Sequence, residues 1–435
     1  MDRLISLDDG LTIADRLVLE SLVEDIKETE PVRDDGDSGV GIESCSNAAK
    51  IQDKTARDID RLKAMNDTLS SQFQPTVLLS VDDCSRLVPS ALDRRVLQPC
   101  IRLARKTARH ETDVVMITHL LLYLLTTVPS ALILYQHFTF IHGIAHAAMQ
   151  AYYIGTYTLM MHQHIHQRGI LSKRLNLLDG LFPYVLDPLM GHTWNSYYYH
   201  HVKHHHVENN GPQDLSSTMA YQRDSIRDFT RYLARFFFLV WLDLSLYFFR
   251  TKRPGLAVRA GGWEMLTYGF YLTMATVFSA KATLFVYLMP FLLLRLALMV
   301  GNWGQHAFVD PEEPDSDYRS SITLVDVASN RYCFNDGYHT SHHLNPLRHW
   351  RQHPISFLEQ KQTYAAEGAL VFHNIDFLMI TLSLLRKDYD RLANCMVPMG
   401  EQLVLDHQGR VALLKRLTRR FTDEEIRDKH RLKGV

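Results

Sequence analysis

The chain has 435 residues, enough for two or three ordinary soluble domains, and a formal net charge of −1 with histidine counted neutral. That balance gives no sign of a nucleic-acid partner. The five cysteines are scattered and form no CxxC pair, which excludes a disulfide scaffold and a thiolate zinc site and fits a reducing compartment.

The first stretch, "MDRLISLDDGLTIADRLVLE", is acidic where a secretory signal would be basic, so insertion is expected from internal segments. Residues 1–80 read as an acidic, largely disordered cytosolic arm with short helical pieces, and "PVRDDGDSGVGIESCSNAAK" is the least structured part. From Leu87 to His110, Arg94, Arg95, Arg102, Arg105 and Arg109 recur among aliphatic residues, which suits an amphipathic helix on an anionic membrane face.

A membrane domain is expected over 85–350, although the whole-chain mean hydropathy is slightly polar. "DVVMITHLLLYLLTTVPSALILY" (113–135) and "FTFIHGIAHAAMQAYYIGTYTLMM" (138–161) are each long enough to cross a bilayer and form one hairpin. The run at 236–249 is short and carries Asp243, so it is placed as an interfacial helix in preference to a third span. A second hairpin is expected from 263–280 and 282–301, turning near Lys281. Arginines precede the first hairpin, and Arg168, Lys173 and Arg174 follow it, so both of its ends are assigned to the cytosol. Residues 351–435 read as a cytosolic or interfacial helical segment. Its tail from Arg410 is basic and exposed, and "RLKGV" carries neither an ER-retrieval nor a prenylation signal.

Histidine is the outlier of the composition, with 23 copies, 12 of them in four stretches. In "HQHIH", His162 and His166 lie one helical turn apart and share a face, while His164 points elsewhere. "HHVKHHH" covers 200–206, "NWGQH" puts Asn302 and His306 on one face, and "HTSHH" supplies His339, His342 and His343. Two of the four begin where an apolar helix ends, which a solvated polar loop does not explain. Imidazole suits divalent iron, zinc or copper. About nine imidazoles exceed what one metal holds, and two metals would leave positions open for oxygen or a bridging water. The second stretch stays open between His201, His204, His205 and His201, His205, His206, with His200 outside the ligand set and helping to orient it.

Weaker candidates surround these. His142 and His146 repeat the HxxxH spacing at the far end of a span, and read as a packed polar helix face. His192 and Trp194 either line a substrate entrance or simply pack. Asp336, in "NDGYH", either orients a ligand imidazole or serves a turn. His349 and His353 are placed on the surface. No HExxH zinc-protease helix and no ExxH pair of soluble diiron bundles occurs.

Histidine boxes in this order resemble the membrane fatty acid desaturase superfamily, which also contains alkane and lipid hydroxylases. The resemblance covers roughly residues 110–350 and is most specific in "HTSHH". The register "HVKHH" matches the desaturase second box, and "HVKHHH" is similar to that of alkane hydroxylases. "NWGQH" looks like the Asn-x-x-x-His element of acyl-CoA desaturases, which implies His306 on a metal and Asn302 on a water. The implied fold is an all-α membrane protein with two transmembrane hairpins, about four spans in all, plus interfacial helices. A cytosolic helical cap would carry the boxes. The implied chemistry is a nonheme diiron centre with two iron ions, O2, and a lipid or fatty acyl substrate, with no catalytic residue beyond the ligands. Desaturation is favoured over hydroxylation on the third box and the Asn302–His306 element. No HPGG haem motif occurs, since His353-Pro354 is followed by Ile355, so there is no fused cytochrome b5. A separate cytochrome b5 or ferredoxin-type donor is expected, and the endoplasmic reticulum membrane is the expected location in a eukaryote. A non-catalytic membrane metal-binding protein is the reading from another class.

Overall fold

The computed structural model describes residues 11–29, 40–78 and 88–430, and is 72% helical. The chain divides into two compact units. One combines the described residues before position 87 with Ala307–Thr418, and the other runs to His306 and includes the described residues from Arg419.

The second unit is built from long apolar helices. Val114–Gln136 and Phe140–Gln167 run antiparallel, joined by a turn whose Thr139 side chain accepts from the His142 N–H at 3.2 Å. Their packing is aromatic at one end, with Tyr123 against Tyr153 and Tyr157 at 5.1 and 5.6 Å between ring centroids. At the other end it is polar: Ser130 Oγ lies 2.9 Å from His142 Nε2 and 2.8 Å from His146 Nδ1. These two histidines are thus a satisfied polar face, as their spacing and position in the span suggested.

Ile226–Arg250 is a 25-residue helix, so the run at 236–249 is part of a longer element that is, by length and composition, apolar enough to cross a membrane. The polar residues before that run keep helical spacing, and Asp243, which argued against a span, is paired with Arg235 at 2.9 Å. The apolar stretch Pro254–Gln305 spans 52 residues, about 78 Å if straight and more than twice a bilayer core. It reverses at Ser279, whose extended backbone and Oγ, accepting from Ala282, start a new helix. Partners meet across the reversal at steadily growing sequence separation: Tyr271 stacks on Tyr287 at 5.4 Å, Tyr268 meets Phe291 at 6.0 Å, and Arg295 reaches Glu264 at 2.7 Å. Among the described residues, three helical stretches are by length and composition apolar enough to cross a membrane.

The other unit departs from an all-α reading. A three-stranded sheet pairs Ile322–Val325 parallel to Leu370–His373, which pairs antiparallel to Met396–Val397. Runs of two to four residues, buried throughout, are too short to show a strand period in sequence. The expected disordered arm supplies the helices Ile13–Thr29 and Val40–Asn66. Leu17, Val18, Leu19 and Leu22 pack into one core with Ile355, Phe357 and Tyr364, because their spacing makes one apolar helix face. Residues 31–39 lie outside the described set.

Two further expectations are corrected. His353 is buried, within 3.0 Å of Ser341 Oγ, and only half-buried His349 approaches a surface position. The tail after Arg410 is not wholly exposed. Phe421 is buried, its N–H donates to the Met219 carbonyl at 3.0 Å, and the Arg419 carbonyl accepts from Arg223 at 2.7 Å.

Candidate metal centre

Helix Phe140–Gln167 carries the first box at its C-terminal end, where His162 and His166 face the same way with ring centroids 4.8 Å apart. His164 turns to the opposite side, against Phe182 and 3.2 Å from the Asp179 carbonyl. The second box lies on a π-helical turn, Tyr198–His205, closed by a bond from the His206 N–H to the His201 carbonyl. A turn hydrogen-bonded five residues apart brings positions 201 and 206 together, which α-helical spacing would splay. His201 Nε2 therefore lies 3.1 Å from His206 Nε2 and 3.2 Å from His162 Nε2.

The coordinating atoms of His162, His166, His201 and His206 all lie within 4.8 Å of one another. His205 is stacked on His201, with centroids 5.5 Å apart, and faces His306 at 5.5 Å, their coordinating atoms again within 4.8 Å. His306 sits just past helix Met289–Gln305, its carbonyl held by Thr218 Oγ1 at 2.7 Å. One turn earlier, the Asn302 amide donates to the Ser216 carbonyl and to the Tyr232 hydroxyl, both at 2.8 Å.

His204 stands apart. Its Nε2 accepts from the Leu215 N–H at 2.9 Å and its ring packs on Tyr247 at 4.2 Å. His200 also turns away, its ring against Phe236 at 5.5 Å. The register brought together is thus His201, His205 and His206.

Asp214 was not visible in the sequence. Its side chain is fully buried and reaches His205 Nδ1 at 2.6 Å, while its oxygens also accept from the N–H groups of Asn210 at 3.1 Å and Ser216 at 2.8 Å. Burial pushes this carboxyl up, but His205 and its other partners outweigh it and hold it far below the usual range. A carboxylate on Nδ1 keeps that nitrogen protonated and leaves the Nε2 lone pair for a metal. Nothing in "GPQDLSS" marks this residue beyond a turn-forming composition.

Burial lowers the imidazoles themselves: His166 to about 4, with help from His205, and His201 well below its ordinary value. At neutral pH they are uncharged and can donate lone pairs, which is the protonation state a metal ligand needs. Converging and largely shielded from solvent, this imidazole set fits divalent iron.

His192 and Trp194 lie in the loop before the second box. His192 Nε2 is 3.1 Å from Thr158 Oγ1 and its ring meets Tyr197, which packs on His201 at 5.2 Å. Burial lowers His192 to about 3. The Trp194 N–H donates to Thr267 at 3.1 Å and its indole to the Tyr184 carbonyl at 3.0 Å, so both residues are tied into packing.

In the other unit, helix His339–Leu344 presents the third box. His339 Nε2 and His343 Nε2 are 3.0 Å apart, and His342 lies beside buried His353 at 6.1 Å between centroids. The turn entering this helix is tied down from the chain's beginning: Asp15 accepts from Tyr338 at 2.7 Å and from Asn330 at 3.0 Å. Asn330 in turn accepts from the Gly337 N–H at 2.8 Å. Among the described residues no hydrogen bond joins Asp336 to an imidazole, and its N–H closes a turn onto Cys333 at 3.3 Å.

No curated protein and no solved structure matches the chain. The family model described as fatty acid desaturase matches residues 118–374, which include every histidine box. With more than half of its length matched, this chain belongs to the fatty acid desaturase family.

Proposed function

We propose that the chain is a multi-pass membrane oxidoreductase that introduces a double bond into a lipid acyl chain, using O2 and electrons from a separate donor. The observation that carries the reading is the convergence of His162 and His166, at the end of the long helix Phe140–Gln167, with His201 and half-buried His206 from the π-helical turn. These four would hold one iron and His205 with His306 a second. The third box, His339, His342 and His343, completes the ligand set by the family pattern. Asn302, whose amide nitrogen is committed to protein acceptors, keeps its oxygen for a water.

Iron, when bound, supplies the O2 activation needed to take hydrogen from an unactivated C–H bond. The balance is one O2, two electrons and two protons, with two chain hydrogens leaving as water. The chain's own part is positional. Asp214 fixes the proton on His205 Nδ1 and so the direction of its lone pair. Burial of His201 and His205 keeps bulk water from the donor atoms. The loop Gly191–Trp194 is held against the apolar helices by Thr193, which donates to Glu264 at 2.6 Å. That anchoring would keep an apolar slot beside the donors narrow enough to select one methylene.

The spans are read as two hairpins with both ends, and all boxes, on the cytosolic side. In a eukaryote the location is the endoplasmic reticulum membrane. The donor is a cytochrome b5 or a ferredoxin-type protein, and residues 85–350 form the membrane domain.

One observation favours a second reading. The gathered register His201, His205, His206 is the one that resembles alkane hydroxylases, so the same scaffold could yield an alcohol. The experiment is lipid profiling of a host expressing wild type or His201→Ala, with an anaerobic spectrum after iron reconstitution. A new acyl double bond lost in the variant supports desaturation, and a hydroxylated chain selects the second reading. Bound iron without any lipid product would leave a non-catalytic metal-binding protein.

A further inference from the structure

The turn after the first box builds a second polar site on the opposite side from the imidazole cluster. Arg168 ends the helix in a left-handed conformation with φ 57°, and its carbonyl accepts from the Arg109 guanidinium. Gly169 follows at φ 120°, where a Cβ would strike Asp179 Oδ2 at 1.8 Å, so only glycine allows this close turn. The result is a recess of about 410 Å³ lined by Arg109, His164, Arg168, Lys173, Asn176 and Asp179.

Its charge is lopsided. The single carboxylate, Asp179, accepts from the N–H groups of Ile170 and Leu171 at 3.0 Å each and lies 3.9 Å from Arg109 Nη2 and 3.6 Å from His164 Nε2, which leaves Arg168 and Lys173 unbalanced. Arg168 and Lys173 are exposed and have no ion pair among the described residues, and Arg109 Nε is buried without a partner there. Helix Asn176–Leu189 leaves the recess with Leu177 74% exposed and Leu181 51%, an apolar face with no protein cover in the structure. Cations at one end and exposed leucines along the other describe a surface seated at a bilayer's headgroup level, with chains below and phosphates above.

We propose that this recess binds the phosphate of a membrane glycerophospholipid, whose acyl chains cover Leu177 and Leu181. The proposal rests on the membrane reading above but not on the oxidoreductase reading. Arg168 and Lys173 supply the charge for the phosphate, and Arg109, held by the Arg168 carbonyl and Asp179, shapes the recess and adds a third cation.

The test uses the full-length protein extracted from membranes into detergent, with native mass spectrometry of added phosphatidylglycerol, diacylglycerol or inorganic phosphate. Wild type should retain phosphatidylglycerol in preference to diacylglycerol. Arg168→Gln/Lys173→Gln should lower that retention about tenfold or more, and Arg227→Ala/Arg386→Ala should not. Unchanged retention in the recess variant overturns the proposal. Equal retention of diacylglycerol removes the phosphate, and equally tight inorganic phosphate removes the lipid. Iron content and lipid product measured on the same preparation report separately on the oxidoreductase reading. Release of the wild type by an alkaline carbonate wash would instead sink the membrane reading itself.

Discussion

His205 Nδ1 lies 2.6 Å from Asp214 Oδ2, and this contact sets which edge of the ring remains for a metal. Asp214→Asn keeps the size of the side chain but gives up the charge that anchors the tautomer. Iron affinity is expected to fall 10–100-fold, read as iron per chain after dialysis against a graded chelator series. Wild-type retention would show that His205 is oriented by packing alone.

His204 and His206 separate the two registers of the second box. His206→Ala should remove iron and lipid product together. His204→Ala should keep iron, but leave the buried Leu215 N–H without its acceptor and lower stability by about 1–3 kcal/mol. Paired iron assays and melting curves distinguish them. Loss of iron in His204→Ala with none in His206→Ala would reverse the assignment.

Asp15 makes stability depend on pH. Burial raises its carboxyl from 3.8 to about 7, against the lowering effect of Tyr338 and Asn330. Between those two values the folded chain keeps a proton that the unfolded chain releases. Stability therefore falls as pH rises through that window, by up to about 4 kcal/mol, and levels off above it. Asp15→Asn should shrink the difference in melting temperature between pH 5 and pH 8. An undiminished difference would assign the effect to other buried carboxyls.

Arg295 and Glu264 form an ion pair among apolar helices, each side chain 6% exposed. Tyr268 donates to Glu264 at 2.5 Å, and the guanidinium lies over Phe291 at 4.4 Å. Glu264→Leu alone should cost about 3–5 kcal/mol by stranding a buried cation, whereas Glu264→Leu/Arg295→Leu should recover most of it. Thermal melts in detergent read both. A double variant no better than the single would mean that the Thr193 contact, and not the charge, is what matters.

The helices Val114–Gln136 and Phe140–Gln167 and the shared face of His162 and His166 were legible because apolar runs and a four-residue spacing are local signals. The register of the second box was not, because a π-turn leaves no mark in residue order yet decides whether His204 or His206 joins its neighbours. Asp214 escaped because its role comes from a loop folding back nine residues after His205. The length of the helix Ile226–Arg250 was underestimated because charge was counted at Asp243 without its partner Arg235. The sheet was missed because its strands are shorter than any periodic pattern.

Tyr338, which enters the third box, is tied to a residue made 323 positions earlier. A ribosome adding about 5–20 residues per second takes roughly 15–65 s to cover that distance. Throughout that interval the leucine-rich side of Ile13–Thr29 has none of Ile355, Phe357 or Tyr364 to rest against. The nascent chain therefore carries a helix covered only in part, by Leu62 and Met65 of Val40–Asn66, while its membrane segments are being inserted. The newborn protein is in this way a natural client for chaperones, and the last third of the message must be read before the first helix can settle.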